Sequence, residues 1–205
     1  MNEQLNEVAE VLRKRNFEVA IVANGGEAKK MVLEMIPSGA SVGLGGSMTV
    51  QGIGLLESLR KGGYELYDQY EEGISKDENQ ARRKRGLTAD WYVTGTNAIA
   101  KEGALVNIDG IGNRVAALTY GPEKVVVVVG RNKICETIHD ALDRVQQQAA
   151  PLNAKRFGVD TPCVADGKCH DCAAVQRICN IYSIIRRQMN PGRFHVVLVD
   201  EDLGF

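Results

Sequence analysis

Five consecutive valines, Val125 to Val129, stand between Lys124 and Gly130. β-Branched side chains disfavour a helix and fit a pleated strand. No polar residue alternates through the run, so the strand has no face to give to water and must be covered on both sides. That requirement selects a central strand of a mainly parallel sheet with helices on both faces. No apolar stretch in the chain is longer than this run, which is far too short to cross a bilayer.

The rest of the chain supplies the partners. Strand patterns occur at 17–23, 41–45, 64–68, 89–95, 104–109 and 194–200. Helical spacing runs through Leu5, Val8 and Leu12, then over 24–36, 48–60, 77–86 and 134–149. Strands alternating with helices predict an α/β fold, read as one domain over 1–205. The weakly periodic segment 150–192 contains Pro151, Pro162 and Pro191 and is expected to form an appendage on that body. The start of the chain reads as an amphipathic helix instead of a signal peptide, and the expectation is a cytoplasmic protein with no membrane partner. The basic run Arg82 to Arg85 follows Asp77 and Glu78, and the formal net charge is −1. That order suits a helix dipole and a solvated helix end, so no nucleic-acid partner is expected.

Four of the five cysteines, Cys163, Cys169, Cys172 and Cys179, fall in the pattern C-x5-C-x2-C-x6-C. A C-x2-C pair turns two thiolates toward one centre, and two outlying cysteines complete four ligands. Structural zinc usually takes two close pairs, whereas a cluster tolerates one close pair with two singles. An iron–sulfur cluster, of the 4Fe–4S type, is therefore the leading expectation, with zinc and unligated thiols as alternatives. Lys168 and Arg177 would lower thiol pKa values and offset the charge of such a centre. His170 is expected beside the site, and Cys135 in the core.

Two polar turns are candidate binding loops. The first, SVGLGGSMT at 41–49, runs from strand to helix and can present backbone N–H groups to an anion. It offers Gly45, Gly46, Ser47 and Thr49, although no dinucleotide, Walker or nucleophile-elbow pattern is complete. The second, 94–118, offers Asn97, Asp109, Asn113 and Arg114, and an arginine in a glycine-rich turn can fork onto a carboxylate or phosphate. Asp109-Gly110 reads as a hairpin signal. Glu102 is the candidate acid–base or nucleophilic residue. For both turns the bland alternative is a tight connection whose polar residues satisfy their own backbone.

GGSMT at 45–49, TGTNAI and LVNIDGIGNRVAA within 94–117, GPEKV at 121–125, the TPC, GKCHDC and RICN segments, PGR and EDLGF together resemble the LUD-domain family of lactate-utilisation proteins. The resemblance covers nearly the whole chain and looks closest to short members with a C-terminal cysteine segment. It implies a Rossmann-like fold similar to the NagB/RpiA/CoA-transferase-like superfamily. It also implies a role around oxidation of lactate or related acids, with iron–sulfur oxidoreductase partner proteins and a small anionic metabolite as ligand. Three functions follow as expectations. The first is a redox accessory protein holding a cluster. The second is a non-redox CoA-transferase- or isomerase-like enzyme with structural cysteines. The third is a ligand-binding regulatory module.

Overall fold

The computed structural model describes residues 2–205. Its main sheet is parallel throughout and has six strands, numbered here in chain order. Across the sheet they run β1 (Glu18–Val22), β10 (Phe194–Val199), β7 (Lys124–Gly130), β4 (Trp91–Thr94), β2 (Ser41–Leu44) and β3 (Glu65–Tyr67). The valine strand β7 lies between β10 and β4, and all five valines are fully buried. The expected double-sided cover is present. Val125, Val127 and Val129 pack with Leu5, Val8 and Leu12 of α1 (Glu3–Arg13) and with Leu118 of α6 (Asn113–Thr119). Val126 and Val128 pack with Val32 of α2 (Gly25–Met35), Val50 of α3 (Met48–Gly52) and Leu59 of α4 (Leu55–Lys61).

A second, smaller sheet lies behind the α1 and α6 side. Its order is β8 (Ile134–Cys135), β5 (Ala98–Ala100), β6 (Ala104–Asp109) and β9 (Ile181–Ile185). Ile99 and Leu105 point into the first core, whereas Ala98, Ala104, Val106 and Ile108 face α7 (Ile138–Arg144) and the helix beyond it. Alternation along β5 and β6 thus serves two apolar layers and not core against solvent, whereas the edge strand β9 is largely exposed. The segment 150–192 contributes α8 (Ala150–Phe157), α9 (Pro162–Asp166) and β9 to this side of the molecule. A π-helical turn, Val145–Ala149, joins α7 to α8.

Local chemistry sets the element boundaries. Asn24 accepts from the Glu27 N–H at 3.0 Å and starts α2, a contact worth about 1 kcal/mol against alanine. Thr137 and Asp140 form a reciprocal capping box on α7. Three expectations need correction. The helix expected over 48–60 breaks into α3 and α4, because Gly54 adopts φ +69° between them. Asp109-Gly110 is not a hairpin. The antiparallel turn lies at 101–103, where Gly103 takes φ +79° and donates its N–H to the Ala100 carbonyl at 2.8 Å. Residues 134–135 form β8, paired with β5, before the helical pattern begins. Basic residues after acids over 77–86 do form a helix, α5 (Lys76–Gly86), capped by Ser75.

Candidate functional site: a cationic cleft beside a ring of thiols

Parallel α/β sheets bind ligands beyond the carboxyl ends of their strands. Here the loops following β2, β4 and β7 converge at that edge. They supply Gly46 and Ser47, then Gly95 to Asn97, and Lys133. With Asp109, Asn113 and Arg114 from the end of β6 and the start of α6, they line a cleft of about 440 Å3. Asn153 and Arg156 of α8, Arg83 of α5, and Tyr70 complete it.

Both polar turns therefore meet, and they meet tightly. A Cβ at Gly45 would lie 2.3 Å from Thr94 Oγ1, and one at Gly95 would lie 2.6 Å from Ser47 Oγ. Glycine is needed at both places for the loops to touch. Ser47 accepts from the Val50 N–H at 3.2 Å and so caps α3. Thr49 is fully buried and works behind the cleft wall. Its hydroxyl donates to the Leu203 carbonyl at 3.2 Å and accepts from Lys133 Nζ at 3.0 Å.

Arg114 is fixed from several directions. Its Nε and Nη2 donate to Asp109 Oδ1 at 2.9 and 2.7 Å, and Nη2 also donates to Asn97 Oδ1 at 2.6 Å and to the Ile108 carbonyl at 2.9 Å. The Val115 N–H donates to Asp109 Oδ2 at 2.9 Å. Arg114 and Asp109 are 7% and 9% exposed, so this is a buried ion pair that sets the guanidinium against the cleft. Asn97 is itself pinned, accepting at Oδ1 from the Ile108 N–H at 3.0 Å. Asn113 reaches Gln69 Oε1 at 3.5 Å.

Around Tyr70 the field is positive. Burial pushes its phenol pKa up, while the Gln69 amide and then Arg83, Arg114 and Arg156 pull it down. Arg83 Nε is buried without a hydrogen-bond partner among the described residues. Among the described residues lining the cleft, Asp109 has the sole side-chain carboxylate, and Arg114 neutralises it. The cleft therefore carries surplus cationic donors suited to a carboxylate or phosphate. Glu102 does not line it. That side chain is exposed in the turn between β5 and β6, where Oε2 accepts from the Ile138 N–H at 2.5 Å and serves the start of α7.

The four clustered cysteines come together. Cys163, Cys169, Cys172 and Cys179 ring one small cavity of about 20 Å3, close to the space of a single water. Among the described residues, no three His, Cys, Asp or Glu side chains are gathered tightly enough to hold one metal ion. The Asp171 N–H points at Cys169 Sγ at 3.4 Å, and Thr161 Oγ1 lies 3.3 Å from Cys163 Sγ. Arg177 ties the loop together by donating to the carbonyls of Cys172 at 2.6 Å and Cys179 at 3.2 Å. Burial raises the Cys179 thiol pKa and Arg177 opposes that shift. His170 faces Asp166 at 2.8 Å. The cavity and the cleft share a wall, because Ala150 and Ile178 line both.

Sequence reasoning missed Tyr70, Arg83, Lys133 and Arg156. Lys133 had a readable signal, since it follows the central valine strand at the edge where ligands sit. Arg83 was hidden inside a basic run that otherwise looks solvated.

The fold and its cleft define an α/β protein with a cationic site at the carboxyl edge of a parallel sheet. The LUD-domain family model matches residues 5–199, and the chain belongs to that family, the lactate-utilisation proteins. A crystal structure of a DUF162 family protein from Deinococcus radiodurans superposes with a TM-score of 0.54 at 15% identity, covering 96% of each chain. That likeness concerns the fold. No curated protein matches the chain. No described helix is long and apolar enough to cross a membrane.

Proposed function

We propose that the protein is a redox accessory component of organic-acid utilisation, binding a small carboxylate in the cleft and an iron–sulfur cluster at Cys163, Cys169, Cys172 and Cys179. The shared wall carries this reading: Ala150 and Ile178 line both the cationic cleft and the cavity ringed by the four thiols. Four thiols are the donor set of such clusters, and thiols that ring a space, instead of meeting at a point, suit a centre with one ligand at each corner. The cavity is small, so loading requires the 163–179 loop to open. One-electron transfer is the chemistry a cluster supplies when bound.

The chain's own residues do the rest. Arg114, held by Asp109 and Asn97, and the unpartnered Arg83 Nε would receive the carboxylate. Arg177 would balance thiolate charge. Oxidising a 2-hydroxy acid to a 2-oxo acid releases two electrons and two protons. The electrons would pass to an iron–sulfur oxidoreductase partner.

Oxygen-free purification with a visible spectrum and assays of iron, sulfide and zinc tests the cluster, with Cys169→Ser and Cys172→Ser as the paired variant. Brown protein with near-stoichiometric iron and sulfide, lost in the variant, is the expected result. Zinc alone, or colourless protein, would overturn the redox role. Calorimetric titration with lactate and pyruvate tests the cleft separately.

A further inference from the structure

Lys133 ends the short 3-10 turn after β7 and is 5% exposed, yet it lines the cleft. Buried lysines usually have a carboxylate partner. This one has none. Its Nζ hydrogen bonds go to two neutral oxygens, Thr49 Oγ1 at 3.0 Å and the Thr96 carbonyl at 3.3 Å. Thr49 can only accept from it, because its own hydroxyl proton is directed at the Leu203 carbonyl. The two bonds match the two N–H groups of an uncharged amine and leave its lone pair as the remaining tetrahedral position. An ammonium would carry a third N–H without an acceptor among the described residues. Burial, with Arg144 and Arg114 adding to it, lowers the lysine pKa to about 7. A desolvated lysine beside other cations is the environment that activates an amine as a nucleophile.

We propose that Lys133 is a nucleophile whose amine condenses with the carbonyl of a 2-oxo acid held in the cleft. The Nζ lone pair attacks C2 and a C–N bond forms. The resulting carbinolamine then loses the carbonyl oxygen as water, taking both amine protons, and a C=N bond replaces C=O. No electrons are transferred, and no co-reactant is needed. The cationic cleft supplies the second element of recognition, since a 2-oxo acid presents a carboxylate next to its carbonyl. This rests on the reading of the cleft as a carboxylate site, and it adds covalent capture of the keto form over the hydroxy form.

The test is reductive trapping. The protein is incubated with pyruvate and cyanoborohydride, digested, and mapped by mass spectrometry, with lactate in parallel and with Lys133→Arg, which keeps a long N–H-donating side chain but is not nucleophilic. The expected result is one reduced adduct, confined to the peptide containing Lys133, absent with lactate and absent in the variant. Because the adduct is located in the unaltered protein, the result does not depend on the variant folding. No adduct while pyruvate still binds by calorimetry would overturn the nucleophile and leave the carboxylate site standing. Neither adduct nor binding would overturn both. Adducts spread over exposed lysines such as Lys155 and Lys168 would show adventitious labelling and also overturn the assignment.

Discussion

Replacing Asp109 by alanine tests the geometry of the cleft most directly. Asp109 accepts three N–H bonds, two from Arg114 and one from the Val115 backbone, and both partners of the ion pair are over nine-tenths buried. Truncation leaves a buried guanidinium with only neutral acceptors, Asn97 Oδ1 and the Ile108 carbonyl. Removing one member of such a pair costs about 3–5 kcal/mol. For a chain of this size that loss corresponds to a melting temperature lower by on the order of 10 °C. Urea unfolding at neutral pH gives the free energy and calorimetry the melting point. Affinity should move the opposite way, because the cleft loses its carboxylate and keeps its arginine, so a carboxylate ligand binds more tightly to the variant that folds less stably. Asp109→Asn retains one acceptor and should fall between. A loss below about 1 kcal/mol would refute the view that this pair fixes the guanidinium, and weaker carboxylate binding in Asp109→Ala would refute the view that neutralisation by Asp109 limits the affinity of the cleft.

Lys133→Met should change the pH dependence of stability. The amine is protonated in the unfolded chain up to its ordinary value of 10.5 but only to about 7 in the fold, so the native protein gains stability as pH rises through that window. The methionine variant lacks this slope, and its advantage below pH 7 should shrink by up to roughly 5 kcal/mol on going to the alkaline end, at about 1.4 kcal/mol per pH unit. Urea titrations across pH check this; parallel curves would contradict it. Gly45→Ala should cost about 1–3 kcal/mol by forcing apart β2 and Thr94, read by thermal melting. Glu102→Gln should leave pyruvate affinity unchanged while loosening the start of α7, read by calorimetry and by amide exchange at Ile138.

The layered fold was legible because the valine run and the helical stripes follow from side-chain burial, which is local. The second sheet was harder to see. Ala98–Ala100 is only three residues long, with Ile99 its single strand-favouring side chain, and Ile181–Ile185 pairs with β6 across more than seventy residues of chain. Both are strands only because β6 offers them an edge. The same holds for the site. Asn97, Asn113 and Arg114 announce themselves by lying in a glycine-rich turn, and the cysteine spacing is local too. Arg83, Arg156 and Tyr70 reach the cleft from α5, α8 and the loop after β3, and only tertiary packing brings them there. Glu102 looked chemical because it was a free carboxylate near the right turn, but the turn's direction carries it to the helix cap instead.

The π-helical turn at Val145–Ala149 bears on how this chain can change length. Such a turn accommodates one residue more than an α-helix would over the same rise. Loss of one residue among Gln146 to Gln148 can therefore be absorbed by reverting to regular helix, with α7 and α8 keeping their bearings. The same deletion inside α8 would turn the remainder of that helix by about 100° and swing Arg156 off the cleft. Across the relatives of this protein, gaps in an alignment should collect at the π turn and be purged from the helix that follows it.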